Sequence, residues 1–408
     1  MNSESKEIDY SIIKKLLSEY PLCDKCLGRQ FPHIMRELDN EQRGIALRKL
    51  VKIPLRGKCF ICHSLMSSLQ ELMEEVLKTI SEYEFDNFMI GTTLPPDVIE
   101  REDTIRARFK LKGGETLKSE LNREVGSFII SKTGKQIKTR GADLTILIAP
   151  FSKPLVTIQS RPIYLFGHYL KKERGIRQKR VRCKKCRGAG CVECDHSGIS
   201  RQESVEEYLN KILLNHFKGS GVRYTWVGGE DSNSLVLGNG RPFFGEILNS
   251  KVRSLVGMNL PINIDNKIIL KDLQIVDKPK VIPRFTVDLF LHIKFKEPID
   301  YNRLKGLEET LKDAVIHQIS LRKRKVLDKK VYNFKIMSID EDEVKVEMSC
   351  DGGLNIKKFV KSSLVRFNGK ETPEVYPNLS SLLGVDVECI NFDVLNVHEL
   401  QIDSIQKR

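Results

Sequence analysis

Eight of the ten cysteines in the chain fall in four C-x-x-C pairs. Such a pair brings two sulfur atoms to nearly the same point, and two pairs complete a closed tetrahedral site of the kind that holds structural zinc. The first predicted set is Cys23, Cys26, Cys59 and Cys62, and the second is Cys183, Cys186, Cys191 and Cys194. We predict structural Zn2+ in the first set, with the second set as a further candidate site. Reduced thiols without metal are the alternative for both.

A second candidate for chemistry is a carboxylate in a glycine-rich stretch, WVGGEDSNSLVLGNGRPF, at 226–243. Glycines on both sides predict that Asp231 lies on a loop between constrained turns, where a substrate can approach the backbone closely. An isolated aspartate in a turn is usually a turn or capping residue. Residue type alone therefore does not select Asp231 as catalytic.

The chain carries 68 Lys and Arg against 54 Asp and Glu, a formal net charge of +14. This excess favours a polyanionic partner, most often nucleic acid. Basic residues cluster at 171–187, just after several aromatic residues, and again at 321–330. A solvated basic linker is the alternative for the first cluster, but positive charge beside aromatic rings suits RNA. The residues predicted to contact RNA are Lys171, Lys172, Arg174, Arg177, Lys179, Arg180, Arg322, Lys323 and Arg324.

The elements that must position these residues alternate between helix and strand patterns, which predicts an α+β protein with more than one domain. Helices are predicted at 9–19, 63–83, 117–133, 205–218 and 301–312. Strands are predicted at 85–91, 104–111, 143–149, 155–158, 163–170, 286–295, 331–339 and 343–349. The sequence has neither an apolar run of about 18 residues nor a signal-peptide core near its start. We therefore predict a cytoplasmic protein without a membrane partner.

The stretch around Asp231 resembles the G-R-E-D-x-D-x-R-x-L-G-x-G-R-P-F motif of the archaeal and eukaryotic T-arm tRNA pseudouridine synthases, the "Pus-ten" family. The matching residues are Gly228, Glu230, Asp231, Leu237, Gly238, Gly240, Arg241, Pro242 and Phe243. Further segments resemble the family in the same order along the chain: CDKCLGRQF, YLFGHYLKKERGIRQ, CKKCRGAGCVECDHSGIS, CDGGLNIKKFV and NLSSLLGVDVECINFDVLNV. The resemblance thus covers most of the chain.

The resemblance implies an α+β fold in four parts. These are an N-terminal zinc-binding segment at 1–65, a THUMP-like α+β RNA-binding accessory domain at 66–170, a basic cysteine-rich connector at 171–200 and a catalytic domain at 201–408. The catalytic domain should have the pseudouridine-synthase fold, a mixed and largely antiparallel sheet with flanking helices. The implied activity is isomerisation of uridine to pseudouridine in the tRNA T-loop, at position 55 and with position 54 as a second target, by a monomer that needs no catalytic cofactor.

The resemblance also assigns roles to residues. Asp231 would be the nucleophile acting at the ribose C1′ side, and Arg241 or Lys357 would lower its pKa. Phe285 would stack on the uracil, Leu354 and Ile356 would wall the pocket, and Asn355 would lie beside the substrate.

The motif departs from the family at several positions: Gly229 and Leu235 replace arginines, Asn233 replaces an aspartate, and Phe285 and Asn355 replace tyrosines. The chain is therefore identified as a divergent member. The alternative is a catalytically weak or inactive tRNA-binding protein or RNA chaperone with the same fold. A zinc-dependent DNA-binding protein is disfavoured because no helix with base-reading side chains lies beside the cysteine pairs.

Overall fold

The computed structural model of the chain describes residues 10–281, 284–297, 299 and 301–400. The chain forms two compact units, with the boundary between Arg161 and Pro162. Parts of the predicted first and last segments, 1–9 and 401–408, lie outside the described residues, as does the first residue of the helix predicted at 9–19. The four-part division of the chain stays a prediction.

The first unit packs helices against a small sheet. Its described helices are α1 (Tyr10–Glu19), α2 (Asp24–Gln30), α3 (Asn40–Val51), α4 (Leu69–Ile80), α5 (Pro96–Phe109) and α6 (Leu117–Thr133). Its described strands are β1 (Asn87–Thr92), β2 (Gln136–Ile137), β3 (Leu144–Ile148) and β4 (Val156–Ser160). They pair in the order β2-β1-β3-β4, with β1 parallel to both neighbours and β4 antiparallel to β3.

The strand predicted at 104–111 is wrong, because this segment belongs mostly to helix α5. Pro96 occupies the first helical turn, where its fixed φ favours helix and its missing N–H costs nothing. The buried side chains Val98, Glu102 and Ile105 are spaced four and three residues apart, as one face of a helix requires. The apparent alternation from Ile105 onward concealed this longer period.

The second unit is built on one large sheet. Its described helices are α7 (Val205–Phe217), α8 (Tyr301–Leu311), α9 (Ile356–Val360) and α10 (Leu379–Leu383). Its described strands are β5 (Ile163–Lys171), β6 (Gly221–Trp226), β7 (Val236–Leu248), β8 (Ile262–Ile264), β9 (Ile268–Val276), β10 (Arg284–Phe295), β11 (Val315–Ser320), β12 (Lys325–Asp340), β13 (Glu343–Asp351), β14 (Leu364–Phe367), β15 (Lys370–Pro373), β16 (Val375–Tyr376) and β17 (Val387–Leu400).

Within the described ranges, eleven of these strands form the order β16-β11-β12-β13-β10-β17-β7-β5-β9-β8, with β6 also paired to β7. The pairings are antiparallel except between β7 and β17, which are parallel. This mixed, largely antiparallel sheet with flanking helices confirms the predicted fold class. Strand β5, at the end of the predicted 66–170 domain, pairs with β7 and β9 in this sheet.

The sequence pattern explains why these strands form. In β10 the buried residues alternate along the chain, as a strand with one face in a core requires. Helix α7 covers part of the same core with Leu209, Leu213 and Phe217, which are fully buried. In the described part of the chain, no helix is both long enough and apolar enough to span a bilayer.

Candidate active site

A cavity of about 380 Å3 lies in the second unit, between the loop that joins β6 to β7, the start of β10 and the segment that leads into α9. Every residue that the sequence assigned to catalysis or substrate binding lines it: Asp231, Arg241, Phe285, Leu354, Asn355, Ile356 and Lys357. The fold therefore brings together positions that are up to 126 residues apart in sequence (357 − 231). Their individual roles stay predictions.

The carboxylate of Asp231 is partly exposed to the cavity and has three donors around it. Lys357 Nζ lies 2.7 Å from Oδ2, and the side chain of Asp231 is 31% exposed. The backbone N–H of Asn233 donates to Oδ1 at 3.1 Å, and the Ser232 hydroxyl lies 3.3 Å from the same oxygen. Burial acts to raise the pKa of Asp231, but the Lys357 ammonium and these hydrogen bonds outweigh it and lower the pKa below its ordinary value. The carboxylate is thus held in its ionised form.

Arg241, the other predicted partner of Asp231, instead forms a buried ion pair with the neighbouring Glu230. Its Nε lies 2.7 Å from Glu230 Oε2, and Nη1 donates to the Val227 carbonyl at 3.0 Å. Glu230 also accepts from the Tyr169 hydroxyl at 2.7 Å and from Gln178 Nε2 at 3.1 Å. Burial raises the pKa of Tyr169, which keeps its phenol protonated as a donor. Glu230, the residue before Asp231, is thereby tied to Tyr169, Gln178 and Arg241.

Lys171, one of the predicted RNA contacts, lies inside the protein. Its ammonium donates to the carbonyl oxygens of Ile176 at 2.8 Å and Asp231 at 2.9 Å. The residue is fully buried, and this burial lowers its pKa to about 8. Its ammonium thus has no exposed surface to offer a phosphate, and it ties the backbone of the Asp231 loop to the end of β5.

The other predicted RNA contacts lie nearer the surface. Arg177 is half-buried, and Arg174 forms an ion pair with Asp393. The remaining members of the predicted set are exposed: Lys172, Lys179, Arg180, Arg322, Lys323 and Arg324. The last three lie in the turn between β11 and β12.

The ring of Phe285 is held between two glycines. A Cβ atom added at Gly352 would lie 2.2 Å from the ring, and one added at Gly228 would lie 2.8 Å from its Cζ atom. The N–H of Gly352 also donates to the Phe285 carbonyl at 2.8 Å. Both positions thus lack room for a side chain, and the ring is fixed at the edge of the cavity.

Asn355 lies at the N-cap of α9. Its side-chain oxygen accepts from the Lys358 N–H at 3.2 Å, and its own N–H donates to Gln318 Oε1 at 2.8 Å. The cap satisfies a free donor of the first turn and thereby fixes the start of the helix that carries Lys357. Leu354 and Ile356 are buried on either side of it.

Both sets of cysteines converge as predicted from their spacing. In each set the four Sγ atoms lie within 4.8 Å of one another. The first set is entirely buried, with Cys23 Sγ 3.7 Å from Cys62 Sγ. Four cysteine sulfurs this close together can act as the four ligands of one metal ion, so each set could bind an ion.

The second set depends on glycine in its turns. Gly188 and Gly190 have φ of +104° and +93°, and a Cβ at Gly190 would lie 2.7 Å from the His196 carbonyl oxygen. The N–H groups of Gly190 and Cys191 donate to sulfurs of the set, each at 3.2 Å. Cys186 and Cys191 are partly exposed, unlike any member of the first set.

A family model described as "Pus10, C-terminal" matches residues 164–398, which is more than half of the chain. The chain belongs to the Pus10 family. A second Pus10 model, described as "Pus10 THUMP domain, archaeal", matches residues 72–149. The resemblance read from the motifs is thereby confirmed.

Relatives in the Pus10 family match over nearly the whole chain. A protein of Nitrosopumilus maritimus named "tRNA pseudouridine synthase Pus10" is 30% identical over 95% of this chain and 97% of its own length. One with the same name from Methanopyrus kandleri is 28% identical over 94% of this chain and 97% of its own. A solved Cbf5-Nop10-Gar1 complex matches 48% of this chain and 46% of its own at 12% identity and a TM-score of 0.28, which carries no structural inference.

The sequence singled out part of the cavity lining but missed other lining residues, such as Val287, Leu289 and Gln318, and the residues that support the lining. Tyr169, Gln178 and Asp393 received no role, although Tyr169 and Gln178 hydrogen-bond to Glu230. Tyr169 lies in an aromatic segment just before the first basic cluster, and this position is the sequence feature that could have indicated a role for it. Asp393 pairs with Arg174, which is 219 positions away, and local sequence spacing cannot predict a contact over that distance.

Proposed function

We propose that this Pus10-family protein isomerises uridine to pseudouridine at position 55 of the tRNA T-loop, with Asp231 as its nucleophile. Family membership makes the protein a tRNA pseudouridine synthase, which is an isomerase. The observation that carries the residue assignment is that an ionised aspartate, an aromatic ring and two apolar walls share one cavity. Position 54 is a second target within the same proposal.

The chemistry requires the target uridine to leave the RNA stack and enter the cavity. Asp231 then acts at the ribose C1′ side, either by direct attack or by assisting glycal formation. The bond from C1′ to N1 of uracil breaks and the base rotates. A bond from C1′ to C5 then forms, while C5 loses a proton and N1 gains one. In direct attack the bond from Asp231 to C1′ breaks in this second step, and in the glycal route the proton that Asp231 removed from C2′ returns to C2′. Because the product is an isomer of the substrate, no redox partner or catalytic cofactor is needed.

The lining residues support a uridine-sized occupant. The Phe285 ring is half-buried at the cavity edge, where it can stack on the uracil face. Leu354 and Ile356 are buried and give the same cavity an apolar lining. Arg241 lines the same cavity, but its charge is already balanced by Glu230, so we assign it to the support of the loop as well as to the substrate.

The exposed basic residues of the connector and of the β11–β12 turn are proposed to contact the phosphates of the T-arm. Phosphate contacts of this kind make binding weaken steeply with salt. A monomeric state and a cytoplasmic location belong to the same proposal. We also propose that each four-cysteine set holds a structural Zn2+ ion, because thiolate ligands in a closed tetrahedral set suit zinc.

The proposed function is tested on an unmodified tRNA transcript. After incubation with the protein, carbodiimide treatment followed by primer extension maps pseudouridine to single positions. We expect a stop at position 55. A parent protein that binds the transcript but forms no pseudouridine would instead support the inactive tRNA-binding alternative.

The pH dependence of the reaction should reveal the ion pair of Asp231. Its pKa lies below the ordinary value of 3.8, so the carboxylate stays active as pH falls until that low pKa is reached. Replacing Lys357 with methionine leaves partial burial without the ammonium, which raises the pKa. The acid limb of the single-turnover rate should then move to higher pH.

The neighbouring substitution Lys358→Met is the control, because Lys358 pairs with Glu374 at 3.7 Å and lies outside the cavity lining. Its acid limb should match that of the parent. An unchanged limb in Lys357→Met would show that this lysine does not set the ionisation of Asp231.

A further inference from the structure

A second carboxylate, Asp393 on β17, lies behind the Asp231 loop and has its own cation. Arg174 Nη1 lies 2.6 Å from Asp393 Oδ1, and Nη2 lies 2.7 Å from Oδ2. Two parallel hydrogen bonds of this kind fix both groups in one relative orientation. The side chain of Asp393 is only 11% exposed, whereas that of Arg174 is 39% exposed, so the carboxylate is shielded from solvent and the guanidinium is partly solvated.

This ion pair holds the backbone of the loop that carries Asp231. Asp393 Oδ1 also accepts from the Leu235 N–H at 2.8 Å, and Arg174 Nη1 donates to the Asn233 carbonyl oxygen. Both contacts are to backbone groups of Asn233 and Leu235, whose side chains are uncharged, so the ion pair holds the loop through its peptide groups. On β17, the N–H of Val394 donates to the Leu235 carbonyl at 3.0 Å.

The held peptides are connected directly to the nucleophile. The Asn233 N–H donates to Asp231 Oδ1, and the Ser234 N–H donates to the Asp231 carbonyl at 3.1 Å. A shift of residues 233–235 would therefore move the Asp231 carboxylate relative to a bound uridine. Misplacement of a reacting group by about 1 Å can cost about 100-fold in rate.

We propose that Asp393 and Arg174 are positioning residues for the reaction, which hold the Asp231 loop in its productive geometry. The proposal rests on the proposed function of Asp231. It also gives Arg174 a role other than the phosphate contact predicted from its place in a basic cluster. A phosphate contact would act on binding, whereas a positioning residue acts on the chemical step.

The two roles separate in single-turnover kinetics on the tRNA transcript, with excess enzyme over a range of concentrations. Asp393→Asn and Arg174→Ala should each lower the saturated rate about 10- to 100-fold, with the half-saturating enzyme concentration changed by less than about threefold. The double variant should be no slower than the slower single variant, because both substitutions break one unit. Arg174→Lys should recover part of the rate.

The control is Arg223→Ala, which removes one positive charge from an exposed pair with Glu246 in the same unit. It should leave the saturated rate unchanged. Thermal melts verify folding, and if Arg174→Ala is unfolded at the assay temperature, Asp393→Asn and Arg174→Lys decide by the same criteria.

Weaker binding at an unchanged saturated rate in the Arg174 variants would overturn the proposal in favour of a phosphate contact. A full rate in Asp393→Asn would overturn it as well. A parent protein that forms no product would defeat the proposed function. A parent that forms product, beside an Asp393→Asn variant at the full rate, would defeat only the positioning role, so the two failures are distinguishable.

Discussion

Replacing Asp231 with asparagine should reduce pseudouridine formation at least about 10³-fold, because the substitution removes the proposed nucleophile. Asparagine has the same shape, and its side-chain oxygen can still accept from the Asn233 N–H. The loop held by Lys171 and Glu230 should therefore keep its structure. Binding of the tRNA transcript should stay within about threefold of the parent, which primer extension and a binding assay can measure on one preparation.

The matched control is Asp265→Asn, which makes the same chemical change in an exposed turn. Asp265 pairs with Lys211 at 3.1 Å and has φ of +51°, a conformation that asparagine tolerates. This variant should form pseudouridine at the parent rate. Sustained product from Asp231→Asn, beside a normal control, would show that another group performs the reaction.

The second large effect is expected at the first cysteine set. Cys59→Ser should lower the metal content by one ion per chain and destabilise the first unit by about 5 kcal/mol or more, since closure of a structural zinc site contributes folding free energy directly. The set joins the start of α2 to the turns before α4, where the Phe60 N–H also donates to the Pro21 carbonyl. Hydrogen exchange in α2 and α3 should report the loss.

A buried arginine makes this first set more sensitive still. Arg29 lies fully buried between Cys26, whose Sγ accepts from Nη2 at 3.4 Å, and Glu102, whose carboxylate is 2.9 Å away. Glu120 accepts from the same guanidinium. Four thiolates around the proposed Zn2+ ion would leave a net negative charge that the arginine would help to offset. Loss of that ion would therefore disturb a buried charge balance as well as a crosslink.

Two comparison variants separate metal loss from loss of a thiol. Cys186→Ser should also lower the metal content by one ion, but the second set closes only a short exposed turn, so α2 and α3 should keep their protection. Cys389→Ser, outside both sets, should keep the full metal content. Parent protein prepared with zinc but found to contain no metal by mass spectrometry would contradict both assignments.

The sequence predicts local features of this fold well because they depend on short-range spacing. Helix α6 has the predicted bounds, 117–133, and β10 shows the alternation that marked it as a strand. The two cysteine sets could also be predicted, because two residues between cysteines bring both thiols close enough to share one metal ion. The strand predicted at 104–111 is wrong because the alternating apolar residues at the end of α5 resemble a strand pattern. The buried face of the helix is determined by its packing in the folded unit.

Part of the lining of the candidate site could be predicted from the sequence, but the residues that support this lining could not. Motif resemblance marked Asp231, Phe285 and Lys357, yet charge patterns give the sign of a side chain and not its burial. Lys171 and Arg174 were therefore grouped with surface cations, although one is fully buried and the other holds Asp393. Contacts across such long stretches of chain follow from sheet order, which no local pattern encodes.

The glycine cradle around Phe285 makes three distant positions genetically interdependent. While position 285 is aromatic, alanine at 228 or 352 is excluded by the ring, and at 228 also by Arg241 Nη1, only 2.4 Å from the added atom. A smaller residue at 285 would remove the obstacle that the ring presents at 352, but the +80° φ of Gly228 would still penalise a side chain there. The order of substitutions at this site therefore matters: Phe285 has to be replaced by a smaller residue before Gly352 can be replaced by alanine.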